Sequence, residues 1–224
     1  RYGALGTMAV GEGGGELAKQ LLGRTYDFAR PGVIAIYLTG KPQRGVGPQD
    51  VALSIIGKVY ANGYVKNRVM EFVGDGVGNL PVEYRNGIDV MTTETTCWSS
   101  IWHTDEKVAE YYAIHGRKDA YKELRPADVA YYDGLVYVDL ATVEPTIAMP
   151  FHPSNTYTIA ELKAHPADVI AAVTDAGRKQ FENAKFAFTL DQKIRGGEIY
   201  VDQGLVAGCS GGTFQNLKRA AEIL

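Results

Sequence analysis

The sequence predicts an α/β fold: three layers, α/β/α, built around a mainly parallel sheet and divided into two subdomains. Short β-rich runs bounded by glycine alternate with longer amphipathic stretches along most of the chain. That alternation is the mark of strand–helix–strand units with helices on both faces of the sheet. The run "VIAIYL" at 33–38 is apolar throughout, as suits a strand covered on both faces. The rhythm lapses over 118–157, a stretch rich in Pro, Tyr and Asp. That stretch is read as the connection between a first subdomain, 1–117, and a second, 158–224, truncated at its C-terminal end.

Local signals predict each element in turn. "GELAKQLLG" is a short helix closed by Gly23, and "GVIAIYLTG" is a strand between glycines. "GPQDVALSIIGKVYANG" opens with Pro48 and Asp50, repeats Val51, Ile55 and Val59 on one face, and stops at Gly63, which makes it a helix. "NRVMEFVGDG" is a strand, and "LPVEYRNGIDVMTTE" is helical from its proline. In "TDEKVAEYYAIHGR" Thr104 is placed to cap a helix, with Asp105 and Glu106 at the positive end of its dipole and Gly116 at its close. "LVYVDLA" and "PTIAMP" are short strands, and "TIAELKAH" and "DVIAAVTDAGRKQFENA" are helices. "GEIYVDQGLVAG" is a strand and "TFQNLKRAAEIL" a helix.

Composition limits the function. With 224 residues, 46% hydrophobic and 22% charged, the chain has an ordinary soluble composition. A net charge of −3 leaves no basic excess for phosphates, so the expected partner is a small molecule and not nucleic acid. No apolar stretch approaches the roughly 20 residues that span a bilayer, and "RYGALGTMAV" lacks the segments of a secretory signal, so the reading is no membrane and a cytoplasmic location. Cys97 and Cys209 are then thiols that are buried, catalytic or metal-bound, and they are too few for a complete zinc or iron–sulfur site.

Three features bear on chemistry. "GEGGGE" at 11–16 fits neither the dinucleotide nor the P-loop pattern and is read as a tight turn, while His103, His115, His152 and His165 show no metal-ligand spacing. In "MTTETTCWSSIW" Glu94 lies among threonines between the apolar-looking "IDVM" and "SSIW", so it is expected to be buried, either as a proton-transfer group or held structurally by threonine hydroxyls. In "LVAGCSGGTFQNL" Cys209 is expected at the carboxyl end of a strand, ahead of a helix, where open α/β sheets bind ligands and a thiolate is favoured.

The segments "GTMAVGEGGGELAKQLLG", "IAIYLTGKPQRGVGPQDVALSIIGKVYANGYV", "MEFVGDGVGNLPVEYRNGIDVMTTETT", "TDEKVAEYYAIHGR" and "GCSGGTFQNL" together cover nearly the whole chain. In order and spacing they resemble the aconitase and isopropylmalate isomerase family. The resemblance implies the fold of that family's iron–sulfur domains. It also implies a hydro-lyase that dehydrates and rehydrates a citrate-like or malate-like hydroxy acid on a 4Fe-4S cluster. Three cysteines hold that cluster, and its open iron acts as a Lewis acid. Cys209 matches the first cluster ligand, in a segment the family writes Cys-Thr-Asn and this chain writes "CSG". Glu94 matches the acid that hydrogen-bonds the iron-bound hydroxyl or water, with Val90 where aconitases usually place an asparagine. Cys97 matches no ligand and is expected to pack as a small buried hydrophobe.

By the same resemblance an Asp-Ser-His segment is expected ahead of Arg1, and a Cys-x-x-Cys pair and the domain with the catalytic serine beyond Leu224. The chain therefore reads as a fragment whose partners are the remaining domains of its own enzyme, with the cluster expected in the intact protein and absent from the fragment. The alternative is a non-catalytic or degenerate module that keeps the fold without the cluster.

Overall fold

A computed structural model describes residues 3–185 and 189–224 of the chain. The first part runs α1 (Gly14–Leu21), β1 (Val33–Thr39), α2 (Pro48–Val59), β2 (Val69–Val73), α3 (Val82–Met91), β3 (Ser99–Trp102), α4 (Glu106–Ile114) and β4 (Gly134–Asp139). These four strands form one parallel sheet in the order β3-β2-β1-β4, with helices on both sides, so the α/β expectation holds. The chain steps outward from β1 to β3 and then returns to pair β4 with β1, Ile34 opposite Gly134 through Thr39 opposite Asp139. β4 lies inside 118–157, so the expected connecting segment in fact supplies a strand to the first sheet.

The core follows from the period-two and period-four patterns. Ile34, Ile36 and Leu38 of β1 cluster with Val51, Ile55 and Val59 of α2, and every one of these side chains is buried. Phe72 and Trp102 continue the layer with their rings stacked at 4.0 Å. Gly74 crosses β1 so closely, at φ 100°, that a Cβ there would meet the Leu38 carbonyl oxygen at 2.3 Å. α2 begins where sequence places it: Pro48 opens the first turn and the Gly47 N–H donates to Asp50 Oδ2 at 2.6 Å. α4 corrects one expectation, because its cap is Asp105, which accepts from the Val108 N–H at 3.3 Å. Thr104 instead pins the segment beyond α4, donating to the Lys122 carbonyl and accepting from the Leu124 N–H.

The second part holds an antiparallel hairpin of β5 (Thr146–Ala148) and β6 (Thr156–Thr158), then α5 (Ile159–Ala164) and α6 (Pro166–Gln180). Met149, Leu162, Val169 and Val173 form a small separate core there. A two-residue hairpin, β7 (Ile194–Arg195) with β8 (Glu198–Ile199), precedes α7 (Gly208–Gly211) and α8 (Phe214–Ile223). The strand expected across 197–208 is therefore confined to β8. Leu205 is 84% exposed, and an extended segment with neither a pairing strand nor a covering layer has nothing to make it a strand. Among the described residues no helix is long and apolar enough to cross a membrane.

Candidate functional site

The segments that hold the two candidate residues both meet helix α3. Its C-terminal end tightens into a 3-10 turn, Thr92–Thr95, which holds Glu94. Glu94 is exposed, which corrects the expectation of a buried carboxylate. The threonines around it serve the backbone: Thr92 donates to the Asp89 carbonyl at 2.7 Å and Thr95 to the Thr92 carbonyl at 2.7 Å, both from buried hydroxyls. Cys97 is 5% exposed within the main core, its Sγ 3.3 Å from the Thr92 carbonyl oxygen, so it packs as expected.

The buried carboxylate of this region is Asp89, one turn earlier and fully inaccessible. It accepts from the Trp102 indole N–H at 2.9 Å and the Gly3 N–H at 3.0 Å, and Ser100 supplies a further hydrogen bond. Burial pushes its carboxyl above the ordinary range, against the lowering effect of those donors. The sequence signal was the "IDVM" run itself, whose acid lies inside the apolar stretch.

Cys209 lies on α7, exposed, on a turn without a buried residue. Polar contacts hold that turn to the first part of the chain. Ser210 Oγ donates to the Gly87 carbonyl at 3.1 Å and accepts from Gln49 Nε2 at 3.3 Å. Asn216 Nδ2 donates to the Ser210 carbonyl at 3.1 Å, and the Gln215 N–H donates to Glu83 Oε2 at 2.9 Å. Glu83 and Gly87 are four residues apart on α3, so α7 and α8 dock on one face of its first two turns, and the Glu94 turn extends from the far end of the same helix. Glu94 follows Gly87 by seven residues, about 10 Å along the helix axis. No hydrogen bond joins the Cys209 and Glu94 side chains. A cavity of about 850 Å³ opens beside α8, lined by Gln43, Arg44, Asn79, Tyr84, Asn216 and Arg219 among others, but neither candidate residue lines it.

On α3 itself Arg85 is completely buried, forked onto Asp105 at 3.0 and 2.5 Å, with its Nε donating to the Leu80 carbonyl. Burial works to raise the Asp105 carboxyl, yet the Arg85 hydrogen bonds and charge, together with the Val108 N–H, hold it below the usual range. Burial and the Arg85 charge lower His103 against the pull of Asp105.

The aconitase family (aconitate hydratase) pattern matches residues 1–224, the whole chain. The chain belongs to the aconitase family. Relatives include proteins named 3-isopropylmalate dehydratase large subunit from Acetivibrio thermocellus, 30% identical over 223 residues, and from Lachnoclostridium phytofermentans, 29% identical over 223 residues. A third, of the same name, comes from Clostridium kluyveri and is 30% identical over 223 residues. Each match spans all of this chain but only 44–45% of the relative, so the chain spans under half the length of these curated aconitase-family proteins.

An iron–sulfur cluster wants three or four protein ligands. Cys97 is turned into the core, Cys209 alone offers an exposed thiol, and among the described residues no group of three or more His, Cys, Asp and Glu side chains is placed to hold a metal ion. The residues of this aconitase-family chain do not fit a complete cluster, and one thiol is what they offer toward it.

Proposed function

We propose that this chain is part of an aconitase-type hydro-lyase that removes water from, and returns it to, a di- or tricarboxylic hydroxy acid. 3-Isopropylmalate is the first substrate to test, because the relatives' names specify its dehydratase. The observation that carries the reading is the family match across the whole chain; the roles given to Glu94 and Cys209 come from the resemblance of their segments to the family's motifs. A common scaffold also supports it, since α7 docks on α3 and the Glu94 turn continues that helix.

In this reading Cys209 is one of three thiolate ligands, the others lying outside this chain. A bound 4Fe-4S cluster supplies an open iron as a Lewis acid. Glu94 holds the departing or incoming water by hydrogen bond, exposed on its turn to whatever faces it in the intact protein. A base outside this chain takes the proton from the adjacent carbon, so that loss of that proton and of hydroxide yields the alkene and water. The names of the relatives specify a large subunit, so a further subunit is part of the proposal.

The test is made in the full-length protein with its companion subunit, by measuring iron content and the interconversion of 3-isopropylmalate, citrate and malate with their dehydrated acids. Glu94→Gln lowers turnover with iron retained, and Cys209→Ser abolishes iron binding. Full iron content in Cys209→Ser, or full turnover in Glu94→Gln, would overturn the assignment of that residue.

A further inference from the structure

The feature left unexplained by Glu94 and Cys209 is the buried polar network beneath the Glu94 turn. Asp89 is 0% exposed and makes no ion pair with any described residue. An unpaired carboxylate in that position costs several kcal/mol, and an apolar side chain of similar shape would avoid the cost. Its hydrogen bonds, however, tie together three segments that no apolar group could register against one another. One oxygen takes the Trp102 indole at the end of β3, and the other takes the Gly3 N–H of the 3-10 turn Gly3–Leu5. Gly3 approaches so closely that a Cβ would meet the Ser100 carbonyl oxygen at 2.4 Å and Asp89 Oδ1 at 2.8 Å. The Asp89 carboxylate reaches the candidate acid's turn through Ser100, which hydrogen-bonds it and meets Thr92, while the turn's own threonine bonds close onto main-chain carbonyls. Thr92 Oγ1 donates to the Asp89 carbonyl and lies 3.1 Å from Ser100 Oγ, and Thr95 closes onto the Thr92 carbonyl. Glu94 and Thr93 are the two exposed residues between those anchored threonines.

We propose that Asp89 is a positioning residue for Glu94: by fixing the end of α3 to β3 and to residues 3–5, it sets the place and direction of the turn that presents Glu94. The proposal rests on the reading of Glu94 given above. Among the described residues Glu94 has no hydrogen-bond partner, so its placement is inherited from the turn, whose Thr92 anchor leads to Ser100 and the Asp89 main chain, with Met70 and Cys97 bracing Thr95 and Thr92 from the core. An ångström of misplacement in a reacting group can cost about a hundredfold in rate, which makes a rigid mount beneath an exposed acid consequential.

A double-mutant cycle in the full-length protein tests the proposal, using Asp89→Asn, Glu94→Gln and the pair. Asparagine keeps the shape but sets an N–H donor against one of the donors that Asp89 now accepts. Asp89→Asn is expected to lower kcat by about tenfold with KM within about twofold, and to add nothing in the Glu94→Gln background. Multiplicative losses in the double variant overturn the proposal while leaving the role of Glu94 intact. An inert Glu94→Gln overturns both. A second readout uses the 224-residue chain: amides of 92–96 exchange with solvent about tenfold faster in Asp89→Asn, whereas amides of β1 do not change. Unchanged exchange at 92–96 also overturns the proposal. If Asp89→Asn fails to fold, Trp102→Phe removes a single donor from the carboxylate and takes its place in both experiments, with the same outcomes deciding.

Discussion

Asp105→Ala should be among the most damaging single changes on the surface side of the first part of the chain. The Asp105 side chain is 15% exposed while that of its partner Arg85 is 0% exposed, so deletion leaves a guanidinium buried with, among the described residues, only the Leu80 carbonyl as acceptor. Breaking such a pair from one side costs about 3–5 kcal/mol. The same carboxylate caps α4 through the Val108 N–H, and losing the cap adds about 1 kcal/mol. The sum, about 4–6 kcal/mol, is most of the stability of an ordinary domain. Urea unfolding at neutral pH measures it as a fall in midpoint at constant slope. Arg85→Met with Asp105→Leu, which removes both charges, should lose less than Asp105→Ala alone. The pH dependence has a definite sign. The folded carboxyl titrates below its unfolded value, so its contribution is present above about pH 3.9 and is lost as pH falls through the folded value. A loss below about 1 kcal/mol, or a double variant weaker than the single one, would refute the argument.

Gly87→Ala places a Cβ 2.7 Å from Pro48 Cβ and should cost about 1–3 kcal/mol in a thermal melt, because α2 and α3 must separate; an unchanged midpoint would contradict this. The 224-residue chain should be purified colourless and without iron, because one exposed thiol cannot hold a cubane; stoichiometric iron with visible absorbance would show otherwise. Cys97→Ser in the full-length protein should lower stability but leave iron content unchanged, since the thiol packs in the core, and loss of iron would make Cys97 a ligand. Amides of α7 and α8 should exchange much faster than those of β1, because neither helix has a buried residue; equal protection would mean that contacts other than those described hold them.

How much the sequence disclosed depends on whether a signal was local. β1 and α2 were legible because glycine boundaries, an unbroken apolar run and a four-residue repeat are properties of adjacent residues. β3 was not, since "SSIW" becomes a strand through its pairing with β2, and Ser99 and Ser100 are buried by their tertiary neighbours. The strand expected over 197–208 failed in the opposite sense, having composition but no partner. The burial expected of Glu94 does not hold, because its side chain is exposed. Of the two readings of that segment, the one in which threonine hydroxyls hold the carboxylate fails, since they close onto carbonyls three residues back, a local competition that a one-dimensional reading does not resolve. Asp89 carries the burial expected of Glu94; the apolar "IDVM" run around it is the local signal, and the meeting of α3, β3 and residues 3–5 supplies its partners.

The two candidate residues are mounted by devices of different strength. The Glu94 turn is braced from beneath by buried groups, and breaking one of those hydrogen bonds leaves a buried polar atom to bear a desolvation cost of about 1–3 kcal/mol. The Cys209 turn is held by partly exposed polar contacts, each worth about 0.5–1.5 kcal/mol net, with no apolar burial behind them. Val90 is a departure from the resembled pattern on the Glu94 side, and two more fall on the weaker mount. Ser210 keeps a hydroxyl where the family writes threonine, and that hydroxyl is the group that reaches the Gly87 carbonyl. Gly211 brings no side chain where the family writes asparagine, and the amide that reaches this turn comes instead from Asn216 on α8. With the sequence "CSG" the turn is fastened to α3, the helix from which the Glu94 turn also extends, by Ser210, and steadied from α8 by Asn216.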